Sequence, residues 1–154
     1  MTKKILLAAL LLSLAATASA FDLVDSKGKN HKLSQYKGKW VLVNYWATWC
    51  PPCLAEIPDL AALHSNKKNN LVVLGVAMDY RDPKDVLDFA KGQAIPYPII
   101  MGDDRAIEQV GPVRGLPTTY LYNPQGKQVA YNVGILSQEA VQQYIADKKK
   151  TSAK

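Results

Sequence analysis

The fold of this chain is decided by one short stretch, Trp46-Ala47-Thr48-Trp49-Cys50-Pro51-Pro52-Cys53. Its two cysteines are the only two in the 154 residues of the chain. If a helix begins at this point, the spacing places the two sulfur atoms within bonding distance, so the pair can cycle between dithiol and disulfide. The stretch therefore predicts a redox-active pair formed by Cys50 and Cys53.

The residues on either side of the pair predict a strand followed by a helix. Residues 40–46 are apolar, β-branched and aromatic with one exception, which is typical of a buried central strand. From Pro51 to about Lys67, apolar residues recur every three or four positions, as in a helix with one buried face. Cys50 then lies at the N-terminus of that helix, where unpaired N–H groups and the helix dipole favour a reactive thiolate.

Two other roles for the pair fit its spacing less well. A purely structural disulfide stabilises most when it closes a long loop, and this loop is among the shortest. A structural zinc site needs four ligands, and beyond the pair the chain has only His31 and His64, neither at a ligand-like spacing. A copper(I) carrier that uses the two thiolates stays open as a non-enzymatic alternative. No other metal and no cofactor are expected.

The first twenty residues predict a signal peptide, residues 1–20. Two lysines at 3–4 precede an apolar run at 5–16, and the small residues Ala18 and Ala20 mark a cleavage point before Phe21. The run is shorter than the roughly twenty apolar residues of a spanning helix. We therefore expect cleavage and a periplasmic location, with an uncleaved membrane anchor as the alternative. Either way, the domain reaches a compartment in which disulfides persist.

The rest of the chain predicts one domain, residues 21–147, followed by a basic tail, residues 148–154. The length is enough for one core and too short for two. The net charge of +6 does not describe the domain. Six of the 19 basic residues lie in the signal peptide and the tail, which leaves 13 basic residues against 13 acidic residues. A neutral domain lacks the basic face that nucleic-acid or membrane-surface binding requires. We expect neither a nucleic acid nor a membrane surface as a partner, and we expect the protein to be a monomer.

Patterns further along the chain predict an α/β fold. A second buried strand at 71–78 is followed by a helix from about Pro83, so the two buried strands must pair in parallel. An additional β-hairpin is expected at 21–32, around the turn residues Ser26-Lys27-Gly28-Lys29. The other predicted elements are a short helical piece at 34–39, an edge strand at 98–101, a helix at 103–110, a hairpin at 118–133 and a final helix at 137–148.

Two stretches of the sequence together resemble the thioredoxin superfamily, and most closely its exported TlpA/ResA-type branch. The first is the run from Val41 to Cys53, and the second is Arg114-Gly115-Leu116-Pro117-Thr118-Thr119. The likeness extends from about Phe21 to Ile145. It implies a thioredoxin fold, with a central mixed sheet flanked by helices, and the activity of a protein-disulfide oxidoreductase.

The resemblance also implies roles near the pair. The proline that matches Pro117 is cis in this family and faces the redox pair, and the backbone at Leu116 pairs with an extended substrate segment. Glu56 matches a glutamate close to the active site, where a carboxylate with a raised pKa can exchange a proton with Cys53. An exposed helix glutamate is the alternative.

Two further positions near the pair carry expectations. Asn44 stands where cytoplasmic thioredoxins place a buried aspartate, and an amide cannot titrate. Trp49 and Trp46 are expected to provide apolar surface around an exposed sulfur, with a place in the core as the alternative, which is as common for a tryptophan beside a strand end.

The resemblance implies that the protein reduces disulfides of other proteins and is recharged by a membrane electron donor of the DsbD type. Disulfides in apocytochrome c, and hence cytochrome c maturation, are the usual target of such proteins. A thiol oxidase or disulfide isomerase with the same active site is the main alternative. A thiol peroxidase belongs to a related fold, but its Pro-x-x-x-Thr-x-x-Cys pattern is absent, because the prolines here follow Cys50.

Overall fold

The computed structural model describes residues 21–152. This part of the chain contains the following strands and α-helices, in order: β1 Asp22–Val24, β2 Asn30–Lys32, β3 Trp40–Trp46, α1 Pro51–Ser65, β4 Leu71–Ala77, α2 Pro83–Gly92, β5 Ile99–Met101, α3 Asp104–Val110, β6 Thr118–Tyr122, β7 Gln128–Val133 and α4 Gln138–Ser152. Short 3-10 turns at Leu33–Tyr36 and Lys67–Asn69 precede β3 and β4.

The main sheet has five strands in the order β5-β4-β3-β6-β7. The central strand, β3, pairs in parallel with β4 and antiparallel with β6, so the sheet is mixed. Every residue of β3 is buried, which agrees with its apolar sequence. The predicted thioredoxin fold, with a mixed sheet flanked by helices, is confirmed.

The two faces of the sheet form two separate cores, because successive side chains of a strand point to opposite faces. Leu42 and Trp46 of β3 face a core that α1, α2 and α4 cover, and this core includes both cysteines. Val43 and Tyr45 face the other core, which α3 and the N-terminal hairpin cover. The redox pair therefore lies on the face of the sheet that carries three helices.

The N-terminal hairpin, formed by β1 and β2, is an antiparallel pair as predicted. It attaches to the edge of the main sheet at β5 through a bridge between Asp25 and Ile100, and the Ser26 N–H donates to the Ile99 carbonyl at 2.8 Å. Phe21 packs inside the second core. The hairpin is thus an integral part of the domain.

Strand β7 forms the opposite edge of the sheet. It pairs with β6 on one side, and no strand of residues 21–152 pairs with its other side. Tyr131 and Val133 on this strand are exposed. Its six residues carry no charge and no proline.

The last helix is longer than predicted. Helix α4 continues to Ser152, so the expected start of a basic tail at residue 148 falls inside the helix. Lysine is a good helix former, and cations near a helix C-terminus are stabilised by the helix dipole. Lys148 also lies over the ring of Tyr144, with its Nζ 5.3 Å from the ring centre.

The predicted signal peptide, residues 1–20, lies outside the residues that the structure describes. Among the helices of residues 21–152, none is both long and apolar enough to cross a membrane.

Candidate active site

Cys50 and Cys53 lie at the junction of β3 and α1 and are joined by a disulfide, with 5.3 Å between their Cα atoms. Cys50 is the N-cap of α1, and its Sγ accepts a hydrogen bond from the Cys53 N–H at 3.3 Å. Pro51 and Pro52 occupy the first two helical positions, where a missing N–H costs little because the helix provides no partner for it. The helix N-terminus is therefore directed at the sulfur of Cys50.

The two tryptophans beside the pair differ in their exposure. The side chain of Trp49 is 61% exposed, and its indole N–H donates to the Asp79 carbonyl at 3.2 Å. Trp46 is buried and packs against Phe89, so it does not provide surface around the sulfur, and the alternative of a core tryptophan is confirmed for it. As the last residue of β3 it faces the core, whereas Trp49 lies in the turn beyond the strand. Cys50 itself is also buried in this disulfide form, rather than exposed as expected.

Glu56 is the third residue after Cys53, and its side chain is buried beneath the start of α1. The alternative of an exposed helix glutamate is therefore wrong. Its Oε1 accepts from the Asn44 amide at 2.6 Å, and its Oε2 accepts from the Leu136 N–H at 2.8 Å. Both carboxyl oxygens thus have a donor, as a buried acid requires.

Burial raises the pKa of Glu56 to about 7, and the nearby charge of Asp59 acts in the same direction. The hydrogen bonds from Leu136 and Asn44 oppose this rise in pKa, because they favour the ionised form. Burial is the larger effect. Glu56 can therefore take up or release a proton close to neutral pH, one helical turn from Cys53.

Asn44 holds Glu56 in place. Its Nδ2 group donates both to Glu56 and to the Thr119 Oγ1, the latter at 3.0 Å. The pairing of β3 with β6 sets Asn44 directly opposite Thr119. From the sequence, Asn44 was expected only to be a group that cannot titrate, and this positioning role was not predicted. The available signal was a single amide within an otherwise apolar buried strand, because a buried amide needs hydrogen-bond partners.

The loop before β6 contains the Leu116–Pro117 peptide bond, which is cis as the resemblance implies. Pro117 is buried, and its carbonyl accepts from the Gly134 N–H at 2.8 Å. Leu116 is half-buried and packs against the core that includes both cysteines. Thr118 closes the loop, since its hydroxyl donates to the Gly115 carbonyl at 2.6 Å.

The arrangement brings together a disulfide at a helix N-terminus, a buried acid that titrates near neutral pH, and a cis-proline loop. Within residues 21–152, no three His, Cys, Asp or Glu side chains cluster as metal ligands. The chemistry that these groups support is thiol-disulfide exchange, with Glu56 available for proton transfer.

Sequence comparison places the chain among known families. Residues 14–131 match the AhpC/TSA family. The chain belongs to the AhpC/TSA family. Within it, the chain is a thioredoxin-like thiol-disulfide oxidoreductase. It is 35% identical over 135 residues to the thiol-disulfide oxidoreductase ResA of Bacillus subtilis (strain 168), an alignment that covers 87% of this chain and 75% of ResA.

Solved structures of similar thioredoxin proteins have the same fold. The pneumococcal exposed lipoprotein thioredoxin Etrx1 of Streptococcus pneumoniae strain TIGR4 is 30% identical, with a TM-score of 0.71 over 82% of this chain and 98% of Etrx1. A thioredoxin-family thiol:disulfide interchange protein of Chlorobium tepidum TLS is 29% identical, with a TM-score of 0.73 over 84% of this chain and 92% of that protein.

The raised pKa of Glu56 predicts a specific dependence of stability on pH. Because the folded state raises this pKa from 4.5 to about 7, folding favours the protonated form. The associated stability is fully present below pH 4.5 and is lost as pH rises through about 7. We therefore expect Glu56→Gln to remove part of the fall in urea-unfolding free energy of the oxidised protein between pH 5 and pH 8, roughly the range that these pKa values bound.

Glu108→Gln is the matched control for this measurement, because Glu108 is exposed on α3. It should keep the wild-type dependence on pH. Contributions from other groups, such as His64, whose pKa burial lowers, are common to all three proteins and cancel in the comparison. Identical pH dependence in Glu56→Gln and wild type would show that Glu56 does not titrate in this range.

Proposed function

We propose that this protein is a periplasmic reductase of protein disulfides. The observation that carries the proposal is the Cys50–Cys53 pair at the N-terminus of α1, with the buried acid Glu56 one turn further along the helix. In this proposal Cys50 is the nucleophile, Cys53 resolves the intermediate, and Glu56 moves the proton of Cys53.

The first step is attack by the Cys50 thiolate on one sulfur of a client disulfide. A new bond forms between Cys50 Sγ and that sulfur, the client S–S bond breaks, and the second client sulfur leaves as a thiolate. The helix N-terminus stabilises the attacking thiolate, because the Cys53 N–H and the positive end of the helix dipole point toward Cys50.

The second step releases the client. Cys53 gives its proton to the ionised carboxyl of Glu56, and the Cys53 thiolate attacks Cys50 Sγ. The mixed disulfide breaks, and the client leaves as a second thiolate. The two client thiolates take up the two protons that the reduced Cys50–Cys53 pair has lost, one of them by way of Glu56. The client gains two electrons, and the pair ends as the disulfide that the structure shows.

Client binding is assigned to the surface around the pair. Trp49 offers an exposed aromatic ring next to Cys50. The backbone at Leu116, held by the cis bond to Pro117, is available to pair with an extended client segment in the manner that the resemblance implies. Disulfide-containing proteins are the substrates.

A reductant in an oxidising compartment must be reduced again after each cycle. The resemblance to exported TlpA/ResA-type proteins supports a membrane electron donor of the DsbD type for this step. The same resemblance supports apocytochrome c as a client, and therefore a role in cytochrome c maturation. The predicted signal peptide supports the periplasmic location.

The Pro51-Pro52 dipeptide between the cysteines favours reduction over oxidation. Neither proline has an N–H group, and neither has the ring nitrogen that a histidine would place beside Cys50, so fewer groups stabilise a thiolate. A less stabilised thiolate makes the dithiol a better electron donor. An oxidase or isomerase would instead need a more strongly stabilised thiolate at Cys50.

Substitution of each cysteine separates the two roles. Cys50→Ser should abolish the reduction of insulin, because no nucleophile remains to attack the disulfide. Cys53→Ser should instead accumulate mixed disulfides between Cys50 and the client, since nothing resolves them. Non-reducing gels and mass spectrometry measure the second outcome. If alkylation of the reduced protein labelled Cys53 before Cys50, the two roles would be reversed.

Substitution of Glu56 tests its role in proton transfer. In the wild type, the rate of insulin reduction should rise as pH passes through about 7, because the carboxyl becomes a base. Glu56→Gln should lower the rate by about a hundredfold, the lower end of what a general base contributes, and should flatten this rise. Glu108→Gln should leave the rate and the profile unchanged. A wild-type profile in Glu56→Gln would remove Glu56 from the mechanism.

The direction of the reaction is tested by the reduction potential of the pair. We expect equilibration with glutathione or dithiothreitol to give a value nearer that of thioredoxin, about −270 mV, than that of DsbA, about −120 mV. A value above roughly −180 mV, the region of protein disulfide isomerase, together with faster oxidation of a reduced client than reduction of an oxidised one, would favour the oxidase or isomerase.

A further inference from the structure

A large cleft lies between the N-terminal hairpin and the segment that contains α2 and the chain leading to β5. Its volume is about 850 Å³, within the range of small-molecule binding sites. One wall comes from the turn of the hairpin and Tyr36, and the other from residues 87–99. We call it the hairpin cleft. None of the proposed redox residues lines it.

The hairpin wall contains a chain of hydrogen bonds that ends at a tyrosine. His31, 1% exposed, bonds through Nε2 to the Asp25 Oδ2 at 2.9 Å and through Nδ1 to the Tyr36 hydroxyl. The Asp25 Oδ1 accepts from the Lys27 and Lys29 N–H groups, at 2.8 and 3.0 Å. Every group between the hairpin turn and the tyrosine is therefore fixed in place. Such a buried network costs stability unless each of its polar groups has a hydrogen-bond partner, and each group named here has one.

Tyr36 at the end of this network is available to a ligand. Burial raises the pKa of its phenol, so at neutral pH the hydroxyl stays protonated. A hydroxyl both donates and accepts, and its bond to His31 uses only part of that capacity. Because His31 holds it on one side, the hydroxyl is oriented before any ligand arrives.

A second imidazole lines the same cleft. His64 on α1 accepts the Val73 N–H through Nδ1 at 3.1 Å, and burial lowers the pKa of His64, so the ring is neutral at pH 7. With Nδ1 as an acceptor, the ring hydrogen must be on Nε2. The ring stands edge-on to Tyr97, with 6.1 Å between ring centres. His64, with its Nε2–H donor, and Tyr97 thus add two rings to the lining of the cleft.

The opposite wall is mostly apolar, with Lys91 as its one charged residue. Leu87, Ala90, Ile95 and Pro96 line it, and Leu87 is a large hydrophobic residue left exposed on α2. A flat apolar body that enters the cleft would cover these side chains and remove apolar surface from water.

The charge around the cleft is positive. Three lysines line it, Lys27 and Lys29 from the hairpin and Lys91 from α2. The one carboxylate among the lining residues is Asp25, which is buried and already bonded to His31 and two backbone N–H groups. An anion at the rim would therefore meet lysines without a competing exposed acid in the lining.

We propose that the hairpin cleft binds a small amphipathic anion, with a flat apolar body and one carboxylate or sulfonate group. The apolar body lies against the α2 wall, and the anionic group lies between Lys27, Lys29 and the Tyr36 hydroxyl. This site is independent of the dithiol, so it goes beyond the proposed reductase activity.

Two probes of the same shape test the proposal on the full chain. Anilinonaphthalene sulfonate has an anionic group, and phenylnaphthylamine is its uncharged analogue. Backbone amide NMR shifts should map the sulfonate to residues 25–31 and 94–99, and fluorescence titration should show that it binds more tightly than the uncharged probe. Shifts that map to Trp49 and Ile135, which are also exposed, or equal affinity for both probes, would overturn the proposal.

Variants then test the named contacts. Lys27→Ala/Lys29→Ala should weaken sulfonate binding about threefold to tenfold, the effect of losing two exposed charge contacts, and leave the uncharged probe unaffected. Tyr36→Phe should weaken sulfonate binding about threefold or more, because a hydrogen bond to a charged group is lost. The charge-matched control, Arg105→Ala/Lys127→Ala, removes two exposed cations outside the lining and should change affinity less than about twofold.

If the lysine variant and the control lost affinity equally, the loss would be caused by the change in net charge, and the proposed site would be refuted. Cys50→Ser should bind the sulfonate like the wild type. Its binding and its insulin reduction therefore report separately on the hairpin cleft and on the reductase proposal.

Discussion

The structure around the redox pair depends on the need to satisfy one buried carboxyl group. Glu56 is buried inside the domain and reaches hydrogen-bond donors on two other parts of the chain, the Asn44 amide on β3 and the Leu136 N–H before α4. Asn44 extends the connection to Thr119 on β6. Because an unpaired buried acid is costly, these elements must keep their relative positions. The same contacts partly offset the rise that burial causes in the pKa of Glu56.

This constraint links the helix that carries the cysteines to the loop that carries the cis-proline. Thr119 follows Pro117 by two residues, and the Pro117 carbonyl is in turn bonded to Gly134, two residues before Leu136. The proposed nucleophile, proton acceptor and client-binding backbone therefore belong to one hydrogen-bonded unit. Positioning by a rigid framework of this kind reduces the reorganisation that a reaction requires.

Local sequence patterns predicted the parts of the fold that depend on neighbouring residues. Strand β3 was predicted with its observed limits because it is almost continuously apolar. The role of Glu56 was implied by the resemblance to TlpA/ResA-type proteins, and its place one turn after Cys53 agrees with that role. The bond between Glu56 and Leu136 joins residues 80 positions apart, and no periodicity encodes such a contact. The sequence left open whether each of Trp46 and Trp49 is core or surface for a related reason: this depends on where the strand ends in space, not on residue type.

The open edge of β7 has a consequence for how the protein behaves at high concentration. On the side away from β6 no strand of residues 21–152 pairs with it, so this edge, together with the exposed Tyr131 and Val133, forms a template on which another extended chain can add. Proteins commonly block such edges with lysine or proline, and β7 has neither. Colloidal stability on storage should accordingly respond to a single lysine placed outward on this strand, at a distance from the chemistry of the cysteines.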